Sequence, residues 1–322
     1  MVVVVDSALV LHRYPWSESS LVAHVLTRNH GRVHVLAKGA YRTTSRYFAV
    51  LDLFDELELE WDHSPRRELN NLRAGSIRVR RRAITRDLAS FRVALTELEL
   101  ANLAARDASP DRELYDLLSD SFDALETGAE PAELELVRFE LAFLGHLGLA
   151  PALVHCAACG NAAPPVIQSP KPRAAFSAGA GGRLCRRCAD EARAAGRRVG
   201  TLPCSVLDDG RILATREATM RTAFASEHVE GSSADTDDGH VHERGETFLL
   251  DRGSSLPADD LDRSGQRAAF DHARIDRVRD FVGRFLDFHL ETRPRSHLAF
   301  LSAPNRNAPQ SFPDPRAKTL PR

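Results

Sequence analysis

The hydrophobic period of this chain changes once, near residue 83, and that change sets the fold class. Before it, apolar residues fall in short runs: "SALVLHR", "SLVAHVLTR", "GRVHVLAK" after the turn-like "NHG", "DELELEW" with Leu57, Leu59 and Trp61 in alternation, and "SIRVR". Short β-type runs bounded by turn residues read as strands. No helix-length crossover separates the early ones, which argues against a parallel sheet. A small closed barrel is expected, an OB fold first and an SH3-like barrel as the alternative.

After Ala83 the spacing becomes helical. One stripe runs through Leu88, Phe91, Leu95, Leu98 and Ala101, a second through Leu114, Leu117, Leu118, Phe122 and Leu125, and a third through Leu134, Val137, Leu141, Leu144 and Leu147. Gly128 suits the break before the third helix, and Pro131 suits its first turn. A last helix, "RIDRVRDFVGRFLDFHLE", places Ile275, Val278, Phe281 and Phe285 on one side, with Phe288 at its edge. These stripes read as core. The expected class is α+β and multidomain. A five-stranded OB-fold β-barrel occupies residues 1–82, and a mainly α-helical domain over 83–302 carries a four-cysteine zinc-binding insertion at about 155–198.

"CAAC" at Cys156 and Cys159 and "CRRC" at Cys185 and Cys188 are the strongest local signal. Each C-x-x-C lets one turn of backbone present two sulfurs to one ion, and tetrahedral zinc takes four thiolates. Four thiolates fill the shell and leave no position for water or substrate, so one structural, non-catalytic Zn2+ is expected. The Pro- and Gly-containing stretch from Gly160 to Leu184 reads as loop and hairpin leading to the second pair. Disulfides, and a site that has lost its metal, are the competing readings. Cys204 falls outside the pattern, and His155 reads as a neighbour of a complete set.

The formal net charge of -2 hides regional differences. Between Ser226 and Asp262, eleven Asp/Glu face two Arg, a local charge of -9 that leaves +7 on the rest. Residues 1–82 carry thirteen Lys/Arg against nine Asp/Glu. The acidic tract, about 225–266, is rich in Ser and Gly and short of periodic apolar residues, so it reads as a disordered insertion. Its His228, His240 and His242 read as solvated. The tail, 303–322, reads as disordered too.

At 43% hydrophobic and 27% charged, the composition is that of a globular chain. No run approaches the roughly 18 apolar residues of a spanning helix, and Asp6 with the missing basic n-region argues against a secretory signal. Cytoplasm is the expected location. No phosphate loop, G-x-S-x-G, H-E-x-x-H or G-x-G-x-x-G motif is found, so no catalytic residue is expected.

"HVLAKGAYRTTSRYF" then weighs as a candidate surface. Gly39 permits a turn, after which Lys38, Arg42 and Arg46 recur at every fourth position. Thr43, Thr44 and Ser45 supply hydroxyl donors, and Tyr41, Tyr47 and Phe48 supply rings for stacking. A solvated charge run is the plain alternative.

The order of parts resembles the RecO family of bacterial recombination mediators. The resemblance rests on "YPWSESS", "LAKGAYRTTSRYF", the leucine-rich helices, the two C-x-x-C pairs and "RPRSHLAFL", over roughly residues 1–200 and 268–302. It implies an N-terminal OB fold, a zinc-bearing helical domain and binding of single- and double-stranded DNA. Strand annealing is also implied, as is partnership with RecR and single-strand-binding protein while the RecA recombinase is loaded, in the cytoplasm at the nucleoid. By resemblance, DNA contact falls on Lys38, Arg42 and Arg46, with Arg293 and Arg295 as further candidates. The acidic insertion departs from the family pattern. As a tethered polyanion it would compete with DNA, so deleting residues 226–262 should tighten binding at low salt, and unchanged affinity contradicts this. A zinc-ribbon protein-interaction module, with a barrel that binds RNA or no nucleic acid, is the alternative function.

Overall fold

The computed structural model describes residues 2–43, 45, 47–64, 67–227 and 270–290, with backbone alone over 216–227. Arg46, Arg293, Arg295, the acidic tract beyond Glu227 with its three histidines, and the tail 303–322 lie outside the described residues.

The first five strands close on themselves. β1 (Val2–Pro15), β2 (Leu21–Thr27), β3 (Gly31–Ala37), β4 (Glu56–His63) and β5 (Leu69–Val79) form a barrel in the order β1-β2-β3-β5-β4. β1 is long enough to serve two neighbours. Its first half pairs with β4, its second half with β2, and closure comes from the one parallel contact, β3 with β5. This is the expected OB-like arrangement. In β3 the inward residues Val33, Val35 and Ala37 alternate with outward Arg32, His34 and Leu36, as a half-buried strand requires. Leu57, Leu59 and Trp61 of β4 fill the same interior. A single helical turn, α1 (Tyr47–Val50), lies between β3 and β4, and the adjoining Leu51 is packed into the barrel core.

The chain beyond the barrel is helical, as α2 (Leu88–Ala104), α3 (Arg112–Thr127) and α4 (Ala132–His146). Asp87 and Asp111 cap α2 and α3 by accepting from the N–H groups of Ser90 and Leu114, at 2.7 and 3.0 Å. Such caps contribute about 1 kcal/mol each. The stripes of α3 and α4 are buried as read, with Leu147 partly so. On α2 the stripe holds except at its first residue. Leu88 is 71% exposed, because it opens the helix directly after its cap, before the helix meets the core. Leu98 and Ala101 are buried as read, Phe91 and Leu95 pack partly buried against the same core, and Val93 and Ala94 are buried beside them.

A smaller layer follows: β6 (Arg173–Ser177), β7 (Gly182–Leu184), α5 (Arg186–Ala194) and β8 (Gly200–Pro203), with β6 central in the sheet β7-β6-β8. α6 (Cys204–Glu227), which the sequence reading did not anticipate, and α7 (His272–His289) are the last elements among the described residues. Helix α4 lies against α2, α3, α6 and α7. It is buried on several sides, as a helix inside a bundle must be. Ile275, Val278, Phe281 and Phe285 of α7 are buried, whereas Phe288 is 45% exposed.

Barrel and helices share one large core, to which Leu9, Leu11 and Leu26 contribute from the outside of the barrel. Arg81 pins the junction. Its side chain is fully buried, donating to the Phe54 carbonyl at 2.8 Å, to Ser119 Oγ at 2.9 Å and to Asp123 Oδ1 at 2.7 Å. Glu126 of α3 accepts from the N–H groups of Arg82, Ala83 and Ile84. Among the described residues no helix is long and apolar enough to cross a membrane.

Candidate metal centre and nucleic-acid rim

Cys156 and Cys159 lie in a tight turn. The Cys156 N–H donates to the Asn161 carbonyl, the Gly160 N–H returns to the Cys156 carbonyl, and Gly160 is left-handed at φ 72°. Cys185 caps α5 and Cys188 stands on its first turn. The hairpin β6–β7 brings the pairs together, and it needs Gly182 at its crossing. That residue sits at φ 147°, and a Cβ there would meet the Ala152 backbone at 2.5 Å. β6 separates two environments by its period of two: Ala174 and Phe176 face the helices, while Ala175 faces the cysteines. Phe176 stands edge-on to Phe281, with centroids 5.2 Å apart.

All four sulfurs lie within 4.8 Å of one another, and Cys159 Sγ to Cys185 Sγ is 4.0 Å. A tetrahedron of thiolates around zinc has edges of about 3.8 Å, so the four cysteines fit one tetrahedral ion with little movement. Burial tends to raise the Cys156 thiol. Hydrogen bonds from the Cys185, Ala158 and Cys159 backbone, with the Cys159 side chain, outweigh it and bring that thiol down to about 6. Cys188 is pushed up to about 12, first by its hydrogen bond to Cys185, then by burial and by Cys159 and Cys156. The site therefore gives up a first proton readily and resists giving up the last. A bound cation reverses that resistance, so metal uptake must release protons. His155 pairs with Ala162 in an isolated bridge and stands outside the sulfur cluster, while Cys204 is buried in the helical core.

The second candidate site is the rim of the barrel. Gly39 adopts φ 70°, its carbonyl accepts from the Arg42 N–H at 3.0 Å, and the chain turns as read from the sequence. Lys38 and Arg42 are exposed, and Arg46 is not among the described residues. Tyr41 and Phe48 are 40% and 50% exposed, with ring centroids 5.5 Å apart. Tyr47 turns away, donating its hydroxyl to the Arg73 carbonyl at 2.6 Å and packing on the barrel core.

Two rim residues escaped the sequence reading. Trp16, in the β1–β2 loop, is 58% exposed. Arg13 stacks over Phe48 at 5.4 Å, donates to the Leu51 carbonyl at 2.6 Å and pairs with Asp52 at 3.0 Å. Trp16 was legible only as an apolar ring among Pro, Ser and Glu. The Tyr41 N–H donates to the Ser19 carbonyl at 3.1 Å and ties the two loops together. Cations beside exposed rings are the combination that holds a phosphate backbone and stacks unpaired bases.

Fold and sites together define a two-part protein, an OB-like barrel with a basic, ring-bearing rim and a helical unit with a four-cysteine centre. The family profile "Recombination protein O N terminal" matches residues 1–79, and "Recombination protein O C terminal" matches residues 86–199. A protein of Exiguobacterium sibiricum named DNA repair protein RecO is 34% identical over 179 residues, 56% of this chain and 68% of that protein. Two of the same name from Anaeromyxobacter are similar: that of strain Fw109-5 at 35% over 58% of this chain and 70% of its own length, and that of strain K at 33% over 71% and 88%. The chain belongs to the RecO family of DNA repair proteins.

Proposed function

We propose that this chain is a non-enzymatic recombination mediator that binds single- and double-stranded DNA and anneals complementary strands. With RecR it helps load the RecA recombinase on strands covered by single-strand-binding protein, in the cytoplasm at the nucleoid. The observation that carries the reading is the rim, where exposed Lys38 and Arg42 stand beside exposed Trp16, Tyr41 and Phe48. Cationic side chains release counterions and lower repulsion between two strands, while rings hold bases unpaired until they meet a complement. Arg46, Arg293 and Arg295 join the proposal on sequence alone. Zinc is the proposed ion of Cys156, Cys159, Cys185 and Cys188, and four thiolates leave it structural.

Annealing of two labelled complementary oligonucleotides tests the proposal. The chain is expected to accelerate pairing, and Lys38→Ala with Arg42→Ala to remove most of the acceleration. A chain that anneals nothing, or a double variant that anneals as well as the parent, contradicts it.

A further inference from the structure

Strand register brings together three histidines that the sequence separates. His12 of β1 pairs with His24 of β2, and His24 pairs with His34 of β3. An irregularity between Val10 and His12 allows Leu11 to pack into the helical core while His12 remains on the open face. The His24 and His34 rings are stacked, with centroids 4.0 Å apart and planes 15° from parallel. His12 stands 5.9 Å from His24, and Tyr14 meets His24 edge-on at 5.6 Å.

The row has a defined place on the barrel. Toward the β2–β3 turn the same outer face is covered by the helices, through Leu9, Leu26 and the contacts of Arg32 with Asp107 and Asn102. In the other direction the face stays open. Tyr14 leads to the exposed Trp16, whose loop is tied to Tyr41 and so to the turn bearing Lys38 and Arg42. The rings are thus continuous with the proposed DNA rim.

Their charge environment is unbalanced. The titratable and charged groups facing His24 are His12 and Tyr14 from β1, Arg32 and His34 from β3, and Asp107 from the loop after α2. Asp107 is the single carboxylate among them, and Arg32 already holds it at 2.6 Å. His34 Nε2 is 3.4 Å from the same carboxylate, and that nitrogen has no hydrogen-bond partner among the described residues. Burial first, then His34, His12 and Arg32, brings His24 down to about 4. In the free protein His24 therefore resists protonation. A nearby phosphate backbone supplies the missing negative charge, and the neutral or charged ring faces accept bases.

We propose that His12, His24 and His34, with Tyr14, form a proton-linked contact for single-stranded DNA, on which unpaired bases stack and whose imidazoles take up protons as the strand's phosphates arrive. The proposal rests on the reading of the chain as a DNA binder and extends it from the rim to the outer face of β1–β2–β3. Uptake of one proton makes affinity rise as pH falls between pH 8 and pH 6, by about tenfold for each pH unit over which the full proton is bound. Duplex DNA, whose bases are already stacked, gains less.

The test uses the full chain and a labelled oligothymidine, whose bases do not titrate in that range, with anisotropy from pH 8 to pH 6 at constant ionic strength. Calorimetry in two buffers of different ionisation enthalpy counts the protons. The parent is expected to show the rise and net proton uptake. His24→Phe with His34→Phe keeps rings but removes protons, so its affinity should change little between pH 8 and pH 6 where the parent's rises. His24→Gln with His34→Gln should lose affinity at both pH values. A parent whose affinity does not change with pH, or a Phe variant that keeps the full rise, overturns this inference while leaving the rim reading intact. Absence of oligothymidine binding at every pH overturns both.

Discussion

The four-cysteine centre and the ring row are assembled by opposite means. The cysteines come as two pairs, each three residues apart, and one hairpin joins the pairs. The rings come from three strands, at positions 12, 24 and 34, and meet only because the barrel closes in one register. The first site is local, and the ion proposed for it would hold it together. The second is borrowed from the fold and survives only while the barrel does.

Metal removal breaks that comparison most sharply. A structural zinc supplies about 10 kcal/mol or more to a small site. Chelation, or Cys188→Ser, is therefore expected to abolish hydrogen-exchange protection over residues 152–203. Protection over residues 2–79 should persist, because the barrel has its own core. Equal loss in both regions contradicts the separation. Uptake of the ion should also release protons, in a number measurable by a pH indicator.

Arg81→Ala comes next. It removes a fully buried cation that bridges the barrel to α3, leaving the Phe54 carbonyl and Ser119 without its hydrogen bonds. Unfolding in denaturant should show a loss of about 3 kcal/mol. A loss below about 1 kcal/mol would mean that the shared apolar core alone holds the two parts together.

The smallest effect concerns His24. Its folded-state pKa is lowered to about 4 from 6.5, so the neutral form is favoured in the native protein. The unfolded chain takes up a proton near pH 6.5 and the folded chain only near pH 4. The stability this group contributes is complete above pH 6.5 and is lost as pH falls toward 4. Because His24 is partly exposed, the loss is expected to stay near about 1 kcal/mol. Melting curves of the parent and His24→Gln should converge across that window, and parallel curves would contradict the shift.

What the sequence made legible follows the same division. Strict alternation gave the β4 core, the Leu and Phe stripes gave α3 and α7, and the C-x-x-C spacing gave the cluster, since each signal is local. Leu88 was misplaced because a leucine next to a cap looks no different from one facing the core. α6 passes unread because Asp208, Asp209 and Gly210 interrupt its apolar residues Val206, Leu207 and Leu213, and Tyr47 reads as a stacking ring because nothing local says which way a ring turns. Arg81 was one basic residue in the run "RVRRR", and only the fold buries it.

The central claim is that the rim holds a phosphate backbone through side-chain charge. Affinity for a single-stranded oligonucleotide, measured by anisotropy across a salt series, tests it most directly. The slope of log affinity against log salt should be less steep by about 1.4 in the Lys38→Ala, Arg42→Ala variant than in the parent, about 0.7 for each contact removed. Identical slopes, with identical affinities, would place the DNA contact elsewhere and contradict the account.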